Sequence, residues 1–127
     1  MALVIYHDFS CTSPVSASSP DNFNKAVPWG NDAIDIRQFW IKSDDPDLTY
    51  KNIAIEAVND DDGASMSGQI DVTYSLDNTA YSQSITLPDG DYSTPVSFWR
   101  KVYSPCVEGA FSRTNIVHQI TADEYCK

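Results

Sequence analysis

The stretch that decides the fold is QIDVTYSLDNTAYSQSITL, residues 69–87, in which two alternating runs flank a short Asp-Asn turn. In the first run, Val72 and Tyr74 fall on one face and small polar side chains on the other, which is the period-two pattern of a half-buried strand. Asp77 and Asn78 tolerate positive φ and can close a turn. The stretch therefore predicts a β-hairpin with one face on a core.

Five further runs have strand character, and turns rich in Pro, Gly, Asn and Asp separate them. They are Leu3 to Phe9, Ala33 to Lys42, Tyr50 to Val58, Val96 to Tyr103 and Thr114 to Thr121. The spacing of roughly ten residues, without a helical period, predicts an all-β, antiparallel β-sandwich of immunoglobulin-like type with about seven or eight strands. The residues after Thr121 are expected to form a polar tail.

The run from Ala33 to Lys42 carries apolar side chains on both faces. Ile36 and Trp40 share one face, and Phe39 and Ile41 share the other, so this strand is expected to be central in its sheet. Trp40 is a candidate to fill the space between the two sheets, as a core tryptophan does in immunoglobulin domains.

The chain of 127 residues is long enough to bury a core and is expected to form one domain. We expect a strand and a Ser- and Pro-rich arm in residues 1–26, and the β-sandwich in residues 27–127. The arm, Ser10 to Asn24, contains two prolines and five serines and cannot hold a continuous strand ladder. It is either a plain exposed connection or a segment that docks on a neighbouring subunit.

The formal charge of −10 comes from 18 acidic and 8 basic residues. Such a charge repels nucleic-acid phosphates and anionic lipid head groups, so direct contact with nucleic acid or a membrane is not expected. No stretch approaches the ~20 apolar residues of a membrane span, and the start MALVIYHD lacks the features of a secretory signal. The acidity favours solubility or, alternatively, a basic partner.

Three cysteines, Cys11, Cys106 and Cys126, are widely spaced and form no metal-binding motif. They are expected to be free thiols of a reducing cytoplasm, with one disulfide plus one thiol as the alternative.

The sequence carries no pattern that predicts catalysis. His7 and His118 lie far apart within strand patterns, and there is no nucleophile elbow, phosphate loop or His/Cys cluster. We therefore predict a non-enzyme with no cofactor and no metal. Asp60, Asp61 and Asp62 depart from the EF-hand pattern and are expected in a solvated loop, with a different kind of calcium site as the alternative.

Candidate binding residues come from the arm, from turns and from the less apolar strand faces. Aromatic rings at such positions can stack on sugars or fill a pocket of a partner, although they can equally complete a small core. The predicted partner-binding residues are Pro14, Val15, Phe23, Trp29, Tyr92, Trp99 and Tyr103.

Four segments give the chain a family resemblance. They are VPWG from Val27, RQFWIKS from Arg37, VTYSLD from Val72 and VSFWRKVYSP from Val96. Between Val27 and Pro105, the chain resembles small immunoglobulin-like structural proteins of tailed bacteriophage virions. Residues 106–111 depart from the small-residue connection of that family, which leaves the register of the last strand open.

The resemblance implies a capsid decoration protein or an accessory head, neck or tail subunit. Such a protein is made in the host cytoplasm, is built into the virion, binds other virion proteins such as the major capsid protein, and forms a homo-oligomer in the particle. The resemblance supplies no catalytic residue. The alternative function is a carbohydrate-binding β-sandwich module that attaches to a host surface through exposed aromatic rings.

Overall fold

A computed structural model describes residues 2–16, 18–25, 33–57, 71–104, 111–113, 116 and 118–127. The strands of this part are β1 (Leu3–Tyr6), β2 (Phe23–Lys25), β3 (Ala33–Ser43), β4 (Leu48–Ala57), β5 (Asp71–Ser75), β6 (Ser84–Leu87), β7 (Val96–Ser104), β8 (Phe111–Arg113) and β9 (His118–Cys126). Within these residues there is no helix that could cross a membrane. The all-β prediction is confirmed.

The strands form two main antiparallel sheets around one core. The larger sheet has the order β1-β3-β7-β5, the smaller sheet has the order β6-β4-β9, and β2 pairs with β8. Two antiparallel sheets are consistent with the predicted sandwich, and β3 is a central strand as predicted. The order differs from the ABED and CFG sheets of constant-type immunoglobulin domains, because here β4 lies in the middle of the smaller sheet.

Alternation along the strands builds the core from both sheets. Its buried apolar side chains are Leu3, Ile5, Phe39, Ile41, Tyr50, Ile53, Ile55, Val72, Tyr74, Ile85, Leu87, Tyr92, Phe98, Val102 and Ile116. Phe39 of β3 and Phe98 of β7 are directly opposite each other in the register, and their ring centroids are 5.9 Å apart. Burying a phenylalanine side chain of this kind contributes roughly 1.5–3 kcal/mol.

The prediction that Trp40 fills the space between the sheets is wrong. Its neighbours Phe39 and Ile41 are buried at 1% and 0% exposure, whereas Trp40 remains partly exposed on the opposite side of the sheet. Successive side chains of a strand point to opposite faces, so only one of the two apolar sets of β3 can face the core. Phe39 occupies the place expected for Trp40.

The predicted hairpin of residues 69–87 is also wrong in its pairing. β5 pairs with β7 in the larger sheet, and β6 pairs with β4 in the smaller sheet. The connection therefore crosses between the sheets, and the isolated bridge of Tyr74 with Ser82 is the described ladder contact between the two runs. The predicted turn at Asp77 and Asn78 is confirmed. Asn78 has a positive φ of 58°, and the Asp77 carboxylate accepts a hydrogen bond from the Thr79 N–H at 2.9 Å.

The expected polar tail is a strand. β9 continues to Cys126 and pairs antiparallel with β4, with Leu48 opposite Cys126 and Tyr50 opposite Glu124. Most side chains of this part of β9 are exposed, which explains why its composition resembles a tail. Backbone pairing with β4, and not side-chain burial, places this segment in the sheet.

The arm folds back on the sandwich. The Val15 N–H donates to the Ile5 carbonyl at 2.9 Å, and the His7 N–H donates to the Ser13 carbonyl at 2.9 Å. His7 Nε2 also donates to the Ser19 carbonyl at 2.8 Å. The described arm thus covers the edge of β1. β1 itself pairs with β3, and the division of the chain at residue 26 stays a prediction.

Candidate functional site

The outward side of the larger sheet, called the outer face below, is the first candidate site. The strand positions that alternate with the core residues are Val4, Tyr6, Ile34, Ile36, Gln38, Trp40, Lys42, Asp71, Thr73, Ser75, Ser97, Trp99, Lys101 and Tyr103. Ile34 is 61% exposed and Ile36 is 47% exposed. Contiguous apolar side chains in solvent are typical of binding surfaces.

One part of the outer face, the isoleucine end, consists of Ile34, Ile36, Lys101 and Tyr103. Ile34 lies opposite Tyr103 and Ile36 lies opposite Lys101 across the β3–β7 ladder. The Lys101 ammonium lies 4.6 Å from the centroid of the Tyr81 ring, which holds it by a cation–π interaction. The isoleucine end is therefore presented by two strands that pair from Ala33 to Ile41.

The other part, the aromatic end, consists of Tyr6, Phe9, Trp40 and Trp99. Tyr6 lies opposite Trp40 in the β1–β3 ladder. Phe9, which is 67% exposed, lies 6.3 Å from Trp40 between ring centroids, and their planes are inclined by 80°. The two rings form a corner with apolar walls.

A second candidate is a buried charge network on the inward side of the same sheet. Arg100 and Asp21 are both fully buried. The Arg100 Nε–H donates to Asp21 Oδ2 at 2.9 Å, and its Nη2–H donates to Asp21 Oδ1 at 2.5 Å. Arg100 Nη1 donates to the Asp35 carboxylate at 2.9 Å and to its carbonyl at 3.0 Å. Two parallel hydrogen bonds from one guanidinium to one carboxylate, as between Arg100 and Asp21, form a strong type of ion pair.

Two further side chains extend the network towards the smaller sheet. His118 Nε2 lies 2.7 Å from Asp21 Oδ2, and the Tyr74 hydroxyl lies 2.5 Å from His118 Nδ1. A carboxylate only accepts hydrogen bonds, so His118 Nε2 carries a proton. In the neutral imidazole, Nδ1 accepts the Tyr74 O–H.

The network determines the charge of its members. Burial alone raises the pKa of Asp21, but hydrogen bonds from His118 and Arg100 outweigh it and hold the pKa below its usual value. Burial lowers the pKa of Arg100, but the bonds to Asp21 and Asp35 raise it overall. Burial, and then the charge of Asp21, raises the pKa of Tyr74. Asp21 and Arg100 are therefore charged and Tyr74 is neutral.

The centre of the network is closed to solvent, whereas Asp35 at its edge is 34% exposed and Arg37, whose Nη1 lies 3.6 Å from Asp21 Oδ1, is 40% exposed. The side chains of Asp21 and Arg100 are 0% exposed and that of His118 is 1% exposed, and Tyr74 is also buried. Because these four side chains are buried, we assign the network a structural role. Through Asp21 it joins the end of the arm to β7 and β9.

The stability of the protein should fall in acid because of Asp21. Its folded-state pKa lies below the ordinary value of 3.8, so its contribution is complete above that pH and is lost as the pH falls through the lowered value. Urea unfolding between pH 6 and pH 2 should show this loss, and the Asp21→Asn variant should show less of it. An unchanged pH dependence in that variant would contradict the assignment.

Six of the seven predicted partner-binding residues are described, and they lie in different surroundings. Trp99 and Tyr103 lie on the outer face, whereas Trp29 is outside the described residues and Phe23 belongs to β2. Pro14 is exposed and forms a bridge with Tyr6. Val15 packs against the core. Only Trp99 and Tyr103 of the described members share a surface, and the binding role of the set stays a prediction.

Tyr92 is not at the surface as expected. It is 4% exposed, and its hydroxyl donates to the Pro88 carbonyl at 2.6 Å. Its ring meets that of Tyr50 edge-on at 6.3 Å. Burial, with the nearby charge of Asp89, raises its pKa to about 12. The ring of Tyr92 therefore completes the core, and its expected availability to a partner is wrong.

The buried charge network was not predicted, although one of its members has a sequence signal. Arg100 falls between Phe98 and Val102 in the period-two pattern of β7, which is an inward position. A cation at such a position requires a carboxylate partner. No local pattern points to Asp21, which lies 79 residues away.

The remaining candidates concern metals and thiols. Within the described residues, no group of three or more His, Cys, Asp and Glu side chains could hold a metal ion. The aspartates of residues 60–62, named as an alternative calcium site, lie outside that part of the chain. Cys11 and Cys126 are free thiols, and Cys106 is outside the described residues.

The fold and the outer face define a class of protein, an all-β, sandwich-like fold of two antiparallel sheets with an exposed apolar and aromatic sheet face. Comparison with known proteins adds no family, since no family model, no curated protein and no solved structure matches the chain.

Proposed function

We propose that the chain is a non-enzymatic structural subunit of a virion, a capsid decoration protein or an accessory head or tail subunit, that binds a neighbouring protein through the isoleucine end. The observation that supports binding is the exposure of Ile34 and Ile36, at 61% and 47%, on a paired strand. The virion setting rests on the resemblance of four sequence segments to bacteriophage proteins. We also propose, on the basis of the same resemblance, that the fold is of immunoglobulin-like type.

The isoleucine end suits a contact with a protein. The side chains lie on β3, whose backbone is held by pairing with β7, so little conformational entropy is lost on binding. Covering the exposed half of each isoleucine contributes roughly 1–2 kcal/mol. An aliphatic surface of this kind fits an apolar patch on another protein.

Charge favours a partner different from the chain itself. Lys101 lies opposite Ile36, so a two-fold contact centred on these positions would bring two lysines together. Two copies also repel each other, because each has a formal charge of −10. The proposed partner is another virion protein, such as the major capsid protein, with a carboxylate facing Lys101. In this proposal, the copies of the chain around a symmetry axis contact one another through surfaces other than the isoleucine end.

Ile36→Glu should reduce incorporation into particles of the encoding virus by at least about tenfold, because the change places a charge in an apolar contact. Particles assembled with the variant or the wild type can be purified and their content measured by mass spectrometry. Thr86→Glu, on the exposed side of the smaller sheet, is the matched control and should be incorporated normally.

The thermal midpoint of both variants should stay close to that of the wild type, since both positions are exposed. Normal incorporation of folded Ile36→Glu would reject the isoleucine end as the contact. If the wild type itself is absent from particles, the virion function is rejected as a whole.

A further inference from the structure

We propose that Arg37 is a positioning residue for the isoleucine end, which it holds from behind by joining β3 to Asp21 and Asn22 of the arm. Docking of the arm is then a condition for binding at the isoleucine end. The inference deepens the proposed function and rests on it, since the surface that is positioned is the proposed contact.

The half of β3 that carries the isoleucine end has a described partner strand on one side only. β7 pairs with β3 from Ala33 to Ile41. On the other side, β1 pairs with β3 only from Trp40 to Ser43. Among the described strands, a single ladder therefore holds the backbone at the isoleucine end, and segments with few partners open most easily.

Asp35 lies between the two isoleucines in sequence and therefore faces the opposite side of the sheet. Arg100 Nη1 donates to the Asp35 carbonyl at 3.0 Å and to its carboxylate at 2.9 Å. The backbone directly behind the isoleucine end is thus bound by a side chain of the buried charge network.

Arg37 adds a second set of contacts at the same place. Its Nε lies 3.1 Å from Asp35 Oδ2, and its Nη2 donates to Asn22 Oδ1 at 3.2 Å. Its Nη1 lies 3.6 Å from Asp21 Oδ1. One guanidinium therefore contacts β3 and two consecutive residues of the arm, which the single ammonium of a lysine could not do.

The charges of this group balance only while the arm is docked. Arg37 and Arg100 are cations, Asp21 and Asp35 are anions, and each arginine contacts both aspartates. Arg37 also lies directly opposite Arg100 in the β3–β7 register, and like charges at such positions destabilise a sheet. Release of the arm would remove Asp21 and leave two facing arginines with one carboxylate, which would loosen β3 behind the isoleucine end.

A loosened strand would bind a partner less well. While β3 is held, little conformational freedom is lost when a partner covers the isoleucines. When it is released, the apparent affinity falls with the fraction of molecules in which the surface is in place. The arm therefore controls a surface that it does not itself form.

Hydrogen–deuterium exchange of the free chain, measured by mass spectrometry, tests the positioning without a partner. In Arg37→Ala, residues 33–39 should exchange at least about tenfold faster than in the wild type, because charged hydrogen bonds that hold them are lost. Residues 50–57 of β4 should change little, whereas a purely structural loss would accelerate both segments alike. Asn22→Ala removes one of the contacts and should act in the same direction with a smaller effect.

Lys51→Ala is the matched control. It removes an exposed cation of the smaller sheet that contacts the Tyr125 ring, and it should leave residues 33–39 unchanged. Arg37→Lys keeps the charge and should restore part of the protection. Unchanged exchange of residues 33–39 in folded Arg37→Ala, or equal acceleration of both segments, would overturn the proposal.

Incorporation into particles tests the consequence for binding. Folded Arg37→Ala should be incorporated at least about threefold less than the wild type, although Ile34 and Ile36 are unchanged. Normal incorporation of this variant would overturn the link between the arm and the contact. Faster exchange in Arg37→Ala together with absence of the wild type from particles would reject the proposed contact but not the positioning of β3.

Discussion

Asp21→Ala is expected to lower the free energy of unfolding by about 3 kcal/mol, because it leaves Arg100 buried without its main counter-ion. This is the lower end of the range for breaking a buried ion pair, since Asp35 remains beside Arg100. Urea unfolding followed by circular dichroism measures the change. Asp91→Ala removes an exposed aspartate that pairs with Lys127 and should have little effect.

A double variant separates the ion pair from other effects of the mutation. In Asp21→Ala/Arg100→Met the uncompensated charge is gone, so the double variant should be more stable than the sum of the two single changes implies. Strict additivity, or an Asp21→Ala effect as small as that of Asp91→Ala, would show that the network does not hold the arm. The same measurement at pH 2 should show a smaller effect, since this pH lies below the ordinary pKa of 3.8 and protonation of Asp21 in the unfolded chain reduces the stability that the ionised carboxylate contributes.

Phe39→Ala is expected to cost about 3–5 kcal/mol of unfolding free energy, because it opens a cavity between the sheets. Trp40→Ala, one residue along the same strand, should cost about 1 kcal/mol or less, because its ring lies on the outer face. The two variants change adjacent residues of β3, and the smaller loss is expected for Trp40, although its side chain is larger than that of Phe39. Comparable losses in both variants, measured by urea unfolding, would contradict the placement of the two faces of β3.

Alternation predicted the faces of several strands correctly. Val72 and Tyr74 of β5 and Phe98 of β7 are buried, as the period-two pattern indicates. The same pattern places Arg100 inward, so a strict reading of β7 would have identified a buried cation. The pattern worked because side chains alternate in any strand, whichever strand it pairs with.

The pairing of the strands could not be predicted from the alternation of side chains. The runs of residues 69–87 look like a hairpin because they are adjacent in sequence, yet β5 and β6 belong to different sheets. The polar composition of β9 hid a strand that is held by backbone hydrogen bonds to β4. Register and partner depend on residues far away in the chain, which no local pattern contains.

The amino-acid sequence alone establishes an all-β chain, the limits of most strands and the alternation of their side chains, because these depend on neighbouring residues. The tertiary structure decides between the two apolar faces of β3, placing Phe39 in the core and Trp40 on the outer face. It also brings Asp21 to Arg100. Both outcomes depend on which surfaces the second sheet and the arm cover, and hence on contacts between distant parts of the chain.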